Sequence, residues 1–294
     1  MTYILSVIAN PENPEIDASL LDRLTDAVKG STARMLAPGA AYDIGVATPP
    51  EADAFKEAAV IASEAGVDIN LVSSTARLKK LLIADMDSTI IEQECIDELA
   101  EYAGKRAEIS AITERAMRGE LDFEAALKER VAMLKDLPAD VLQQTFNKRI
   151  TLTPGAETLV QTMNTAGAVT ALVSGGFTFF TARVAERTGF QVTQANELLT
   201  ADGVLTGDVA EPILGRAAKE DALVRLAGEY EIDLRDTLAV GDGANDLSML
   251  NRAGLGVAFH AKPAVAKAAH ARINNGDLTA LLYLQGIPQT EFAR

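Results

Sequence analysis

Three short stretches concentrate groups that could do chemistry. Asp85-Met86-Asp87-Ser88-Thr89 sets two carboxylates two residues apart, and Gly241-Asp242-Gly243-Ala244-Asn245-Asp246 sets two more beside an amide and two glycines. Ser174-Gly175-Gly176 offers a hydroxyl followed by backbone with little steric bulk. Carboxylates this close repel one another unless a cation or a proton separates them, and oxygen donors of this kind suit Mg²⁺. The spacing is not that of an EF-hand calcium loop, which also needs a distant glutamate. A serine followed by glycines at a helix start makes an anion site, because free backbone N–H groups and the helix dipole both favour negative charge. Each stretch alone has a plain alternative: a solvated turn, a serine helix cap or a polar β-turn.

The elements that precede these stretches give them a common address. They follow the apolar runs Leu81 to Ala84, Val169 to Val173 and Thr237 to Val240, and a further run covers Leu255 to Ala258. Such unbroken apolar runs suit strands buried on both faces, and helical patterns between them predict a mostly parallel sheet with helices on both sides. Ligands of open α/β sheets bind beyond the carboxyl ends of the strands. A metal held by Asp85 and Asp242 beside an anion site at Ser174 describes a place for a phosphoryl group, and a carboxylate can attack phosphorus to form an aspartyl phosphate. Phosphoryl transfer is the reaction class implied.

Between the first two strands lies an insertion of about 80 residues, far longer than an ordinary loop of ~2 to 6. It reads as nearly all helix and is expected to form a cap at about 95–153. Phe123, Ala126, Leu127, Val131 and Leu134 make one apolar stripe at helical spacing, with Arg130 inside it. A guanidinium on a buried face needs an anion, either an internal carboxylate or that of a ligand. Lys219 extends the inward stripe Ala222, Leu223, Leu226, Ala227 and Tyr230, or else snorkels out of its helix.

Composition bounds the rest. The chain has 294 residues, 48% apolar and 23% charged, enough for about two domains with a core. With 42 acidic side chains against 27 basic ones, the net charge of -15 is the opposite of a nucleic-acid-binding surface. One cysteine, Cys95, can form neither an internal disulfide nor a thiolate metal cage, reads as a core residue and suits a reducing compartment. No apolar run approaches a membrane span, and the amino terminus lacks an export pattern, so no membrane contact and a cytoplasmic location are expected. Residues 1–75 read as a small α/β accessory domain: strands over Tyr3 to Ala9, Tyr42 to Thr48 and Asp68 to Val72, with helices over Ile16 to Lys29 and Glu51 to Ala65. This order loosely resembles the amino-acid-binding regulatory domains of the ACT type, although no ligand motif stands out; oligomerisation or packing is the other reading, and a homodimer the expected assembly. Residues 76–294 form the second domain. His260 and His270 have no acid or cysteine partner at nucleophile spacing and are expected to be structural, and Lys79-Lys80 flanks a strand entry.

Over about residues 80 to 290, the motifs Asp85-x-Asp87-x-Thr89, Ser174, Lys219 and Gly241-Asp242-Gly243-x-Asn245-Asp246 resemble the haloacid dehalogenase (HAD) superfamily of phosphatases in order and spacing. With Glu94 and the stretch from Met117-Arg118-Gly119 through Phe123 to Arg130-Val131, the chain looks more closely like the phosphoserine phosphatase family within it. The resemblance implies an α/β fold, a HAD-like Rossmannoid parallel sheet with a helical cap inserted after the first strand. It implies Asp85 as nucleophile and Asp87 as general acid and then base, the latter needing a pKa raised above the usual ~3.9. It implies Mg²⁺ held by the Asp85 carboxylate, the Asp87 carbonyl and Asp242, with Asp246 near the metal or its waters. Ser174, Gly175, Lys219 and Asn245 would hold the phosphoryl oxygens, Arg130 and an acid would grip the amino-acid end, and Met117 and Phe123 would shape an apolar wall. The resemblance selects Glu94 as that acid, whereas by spacing Glu92, Glu94 and Glu98 are equal candidates. The expected reaction is hydrolysis of O-phospho-L-serine, a small-molecule substrate, in the last step of serine biosynthesis. The rivals are a capped phosphatase or phosphotransferase for another small phosphorylated metabolite, such as phosphohomoserine, and an effector-binding regulatory protein.

Overall fold

Residues 3–293 are described by the structure, a computed structural model, with Met117 described in its backbone alone. The first unit runs β1 (Tyr3–Ile8), α1 (Ala18–Val28), β2 (Arg34–Ala37), β3 (Ala41–Val46), α2 (Ala52–Glu64) and β4 (Asp68–Ser73). Its strands pair antiparallel in the order β2-β3-β1-β4, a split βαβ arrangement. Alternation along β1 sorts its two faces. Leu5 and Val7 pack with Leu20 and Leu24 of α1 and Ile61 of α2, while Ile8 faces the opposite core. Asp17 caps α1, accepting from the Leu20 N–H at 2.8 Å. The sequence pattern does not mark residues 34–37 as a strand: β2 is a four-residue edge strand whose Arg34 and Met35 are exposed, so it shows no apolar alternation.

The second unit opens with β5 (Leu81–Ala84) and then the cap helices α3 (Cys95–Ala103), α4 (Arg106–Met117), α5 (Phe123–Ala132) and α6 (Val141–Arg149). It continues with α7 (Ala156–Thr165), β6 (Val169–Phe177), α8 (Thr178–Thr188), β7 (Val192–Asn196), β8 (Leu198–Ala201), β9 (Val204–Val209) and α9 (Arg216–Glu229). Last come β10 (Thr237–Gly241), α10 (Leu247–Arg252), β11 (Leu255–Phe259), α11 (Pro263–Ala268), β12 (Ala271–Ile273) and α12 (Ala280–Leu284). Six strands form a wholly parallel sheet in the order β12-β11-β10-β5-β6-β7.

Strand β5 lies between β10 and β6, with Ala84 level with Val240 on one side and Leu172 on the other. That register brings Asp85, Asp242 and Ser174 out at neighbouring strand ends. Leu81 and Ile83 pack with α9 and α10, while Leu82 and Ala84 join the core with α7 and α8, so the unbroken apolar run has a face on each side. One expectation is corrected here. Strand β6 continues to Phe177, so Ser174-Gly175-Gly176 are its last residues and not the start of a helix, and α8 begins at Thr178 without a side-chain cap.

The cap also has a part that the sequence reading did not anticipate. The antiparallel hairpin β8–β9 turns at Asp202-Gly203, both with positive φ (51° and 81°), the two-residue turn that Asp-Gly favours. It docks beside α5 through hydrogen bonds from the Leu205 N–H to the Leu137 carbonyl and from the Asp136 N–H to the Leu205 carbonyl.

The two sheets meet edge to edge. Asn70 of β4 donates to the Arg272 carbonyl at 2.9 Å and accepts from its N–H at 2.8 Å, acting as a substitute for a strand neighbour of β12. Asp68 accepts from the N–H groups of Asn274, Asn275 and Gly276 at 2.9 to 3.0 Å. Arg77, between the sheets, forks onto Asp43 of β3 at 2.6 and 2.7 Å and donates to the carbonyls of Leu284 and Tyr283. No helix among the described residues is long and apolar enough to cross a membrane. Because Asp68→Ala leaves three N–H groups without their acceptor, that of Gly276 buried, it is expected to cost about 1–3 kcal/mol. A thermal melt should show Tm lower by several degrees, and an unchanged Tm would mean that these bonds do not hold the junction.

Candidate active site

Asp85 leaves β5 buried, 3% exposed, and accepts on Oδ1 from the Met86 N–H at 2.7 Å. The chain then makes an irregular turn over Met86–Ile90 in which Ser88 takes the left-handed region (φ 55°), which directs Asp87 back beneath the cap. Asp87 Oδ1 accepts from the Cys95 N–H, the first of α3, at 2.8 Å, and Oδ2 from the Ser174 hydroxyl at 3.3 Å. Gly176 is required for this approach, since a Cβ there would stand 2.5 Å from Asp87 Oδ2.

On the other side, β10 delivers Asp242, and the turn after it delivers Asp246, which accepts from the Gly243 N–H at 3.0 Å. Gly241 admits this carboxylate: a Cβ at 241 would lie 2.3 Å from the Asp246 Cγ. One oxygen each from Asp85, Asp242 and Asp246 gathers within 4.8 Å, all three residues buried. Among the described residues the cation that pairs with them is Lys219, itself 2% exposed, whose Nζ lies 2.7 Å from Asp85 Oδ1 and 2.6 Å from Asp246 Oδ1. Lys219, expected among the phosphoryl-holding groups, is thus the clamp of two carboxylates. Its helix face was legible in the sequence and its partners were not. Three hard oxygen donors in a dry site with one ammonium among them suit a divalent cation.

The electrostatics say the same. Burial, then the Asp246 charge, raise Asp85 to about 7 against the pull of Lys219. Burial raises Asp87 despite the Cys95 and Ser174 hydrogen bonds, and burial followed by the Glu94 and Asp246 charges lifts Asp242 well above the carboxylate range. Glu94 goes to about 8 through burial and the Asp87 charge. Burial draws Lys219 down, yet Asp246 and Asp85 outweigh it and hold the ammonium above its usual range.

Between this cluster and the cap lies a narrow cavity of about 30 Å³. Asp85, Asp87, Ser174, Gly175 and Asn245 face it from the sheet, and Glu94, Phe123 and Arg130 from the cap side. Phe123 packs over Gly175, where a Cβ would fall 2.6 Å from its Cζ. Asn245 Oδ1 is buried with no hydrogen-bond partner among the described residues. Of the three acids equal by spacing, Glu94 alone reaches the cavity, accepting from the Ser88 hydroxyl at 2.6 Å. Glu98 pairs with Arg106 and Arg149, and Glu92 accepts from Thr151. Arg130, 3% exposed, makes no ion pair with any described carboxylate and donates to the Ala126 carbonyl and the Thr113 hydroxyl. Burial draws its pKa down against the charges of Glu94, Asp97 and Asp87. The side chain of Met117 lies outside the described residues.

Sequence reasoning missed three contributors. Cys95, read as core, supplies its backbone N–H to Asp87 while its thiol stays buried. Asn196, at the end of β7, donates to the Gly175 carbonyl at 2.8 Å and accepts from the Leu214 N–H. Thr113 holds Arg130. No local motif marks any of them. His260 contacts the Gly276 carbonyl and His270 accepts from the Gly256 N–H, both outside the lining of the cavity.

A sheet whose adjacent strand ends converge acids, a serine and a lysine under a helical cap defines a hydrolase of a known kind. Residues 82–251 match the haloacid dehalogenase-like hydrolase family, and the chain belongs to it. It is 41% identical over 298 residues to a phosphoserine phosphatase of Streptomyces coelicolor, covering 98% of this chain and 71% of that one. Among solved structures, a HAD family hydrolase of Salmonella enterica serovar Typhi superposes with a TM-score of 0.84 at 32% identity, over 96% of this chain and 98% of the other. A substrate-bound phosphoserine phosphatase complex superposes with a TM-score of 0.67 at 44% identity, over 70% of this chain and 97% of that one.

The raised carboxyl groups predict a pH-dependent effect of metal. Asp85 and Glu94 have ordinary values of 3.8 and 4.5 when unfolded and about 7 and 8 when folded, so the folded state binds more protons in between. The stability of the chelated protein therefore falls as pH rises through that window. A divalent ion that binds the deprotonated cluster opposes the loss. Tm in chelator should drop from pH 6 to pH 8, and added Mg²⁺ should raise Tm more at pH 8 than at pH 6. A Mg²⁺ effect equal at both values would contradict the assignment of the cluster.

Proposed function

We propose that the protein is a phosphoserine phosphatase, hydrolysing O-phospho-L-serine to L-serine and phosphate through an aspartyl phosphate on Asp85, with Mg²⁺ as its metal. The observation that carries this reading is the two-ended character of the cavity. Its sheet side offers Asp85, Asp87 and Ser174, the requirements of phosphoryl transfer; its cap side offers Glu94 beside an Arg130 without a carboxylate partner, the complement of an ammonium and a carboxylate. The kinship with phosphoserine phosphatases supports the same reading.

In the first step, an Asp85 carboxylate oxygen attacks phosphorus while the bond from phosphorus to the serine oxygen breaks. Asp87 hands its proton to that oxygen, and its raised pKa keeps the proton in place until then. Asp87, now a carboxylate, takes a proton from water as the water oxygen attacks phosphorus, and the bond to Asp85 breaks to release phosphate. Asp85, Asp242 and Asp246 would hold the metal, together with the Asp87 carbonyl; when bound it supplies the positive charge that brings an anionic nucleophile to an anionic phosphate. The Ser174 hydroxyl, Gly175 and the Asn245 amide would hold the phosphoryl oxygens, with Lys219 fixing the attacking carboxylate. Phe123, with Met117, would form the apolar wall, and a cavity of this size would require the cap to lift for entry.

Around this centre we read residues 1–75 as an accessory domain and 76–294 as the catalytic one, with the cap at about 95–153. The βαββαβ order of the first unit suits an ACT-like regulatory role or a homodimer contact, and a lone buried thiol suits the cytoplasm. Phosphate release from O-phospho-L-serine should require Mg²⁺ and stop with a chelator, and phosphohomoserine should be a poor substrate by comparison. Asp85→Asn should lower kcat on the order of 10⁴-fold or more with its circular dichroism unchanged, because an amide cannot form the acyl phosphate. Turnover near that of the parent protein would remove Asp85 from the nucleophile's role.

A further inference from the structure

Arg130 is held in an unusual way for a buried guanidinium. Its Nε donates to the Ala126 carbonyl of its own helix at 3.0 Å, and NH1 donates to Thr113 Oγ1 at 3.0 Å. Thr113, on α4 and 3% exposed, lies 2.9 Å from Asp97 Oδ1 on α3, and Asp97 Oδ2 accepts from the Ser110 hydroxyl at 2.6 Å. The threonine hydroxyl has one proton and two acceptors within reach, Asp97 Oδ1 and the Ile109 carbonyl at 3.0 Å. The carboxylate is the stronger acceptor, so the proton goes there and a lone pair is turned to Arg130.

A carboxylate thus acts on Arg130 through one intervening hydroxyl. In direct contact it would form a bidentate pair and compete with any incoming anion. Through Thr113 it orders the fork and leaves the remaining guanidinium donors unclaimed by any described acid. The chain Ser110, Asp97, Thr113 and Arg130 also ties α3, α4 and α5 together, so the direction of the fork is set by the packing of three cap helices.

We propose that Thr113, oriented by Asp97 and Ser110, is a positioning residue that aims Arg130 at a substrate carboxylate and so sets the preference for phosphorylated amino acids over other phosphate esters. The inference rests on the reading that Arg130 meets that carboxylate. The two separate in one experiment, which compares kcat/KM for O-phospho-L-serine with that for O-phosphoethanolamine, an ester with the same phosphate and ammonium and no carboxylate.

Thr113→Val keeps the shape of the side chain and removes the hydroxyl. It should lower the ratio of the two kcat/KM values on the order of tenfold, chiefly through KM for phosphoserine, as expected for a lost hydrogen bond to a charged group. Thr113→Ser should restore the ratio. Asp97→Asn should shift it in the same direction as Thr113→Val and decides the matter if that variant does not fold. A purely structural role would lower Tm and depress both substrates alike. If Arg130→Ala collapses the ratio while Thr113→Val, or Asp97→Asn in its place, leaves it unchanged, the positioning role is overturned. If Arg130→Ala itself leaves the ratio unchanged, the reading of Arg130 falls and the inference with it.

Discussion

Like charge crowded into a dry space is the constraint from which the rest of the molecule follows. Asp85, Asp87, Glu94, Asp242 and Asp246 surround one small region with Lys219 and Arg130 beside them, and burial, which disfavours the charged form, raises Asp85, Asp87, Glu94 and Asp242 above their ordinary pKa. A site of this kind costs stability when nothing else compensates. The same excess of oxygen donors that repel one another also suits a divalent ion, and the burial that raises Asp87 favours its protonated form.

The architecture meets that constraint by hanging the acids on the rigid ends of two adjacent strands, β5 and β10. Asp85 and Asp242 end adjacent parallel strands, Asp246 folds back onto Gly243, and Lys219 reaches across from α9 to clamp Asp85 and Asp246. Side chains cannot spread apart because their backbones are fixed in the sheet register. Glycine appears where two backbones or a backbone and an acid must come closer than a Cβ allows, at 176 against Asp87 and at 241 against Asp246. The six-stranded sheet therefore acts as a holder of mutually repelling groups, with its strands buried in apolar layers on both faces so that the ends do not yield.

What the sequence showed follows the same physics. Strands β5, β6, β10 and β11 were legible because burial on both faces demands continuous apolar residues, whereas β2, β7 and β12 are edge or near-edge pieces of mixed exposure with little pattern to read. The β8–β9 hairpin carries a signal in Asp202-Gly203, but β8 is mostly exposed and shows no apolar alternation to mark it as a strand. Candidate chemistry at each strand end was visible locally. That β10 and β6 flank β5 was not, since strand order depends on packing between residues far apart in the chain, as Leu81 with Val169 and with Thr237. Spacing could not choose among Glu92, Glu94 and Glu98; the Ser88 turn and the Arg106 and Arg149 pairs make that choice in three dimensions. Likewise a serine and two glycines after an apolar run fit a strand end as well as a helix start, and only the pairing of β6 with β7 decides it.

The division of recognition between sheet and cap has a further consequence for selectivity. On the proposed reading the groups that would face phosphorus stand on the sheet, while Arg130 stands on α5 and is tied to α3 and α4 through Thr113 and Asp97. A ligand that carries only a phosphate has nothing to offer the cap, so the free energy of its closing must come from the cap's own contacts with the sheet, such as Phe123 over Gly175. A ligand with charged groups at both ends would add ion pairs to Glu94 and Arg130 that form only with the cap closed over it. Closure in turn removes water, which strengthens every electrostatic contact at the reacting centre. Binding energy from the far end of the ligand is in this way converted into rate at phosphorus, and discrimination appears in kcat/KM because the groups that sense the difference are those that complete the dry site.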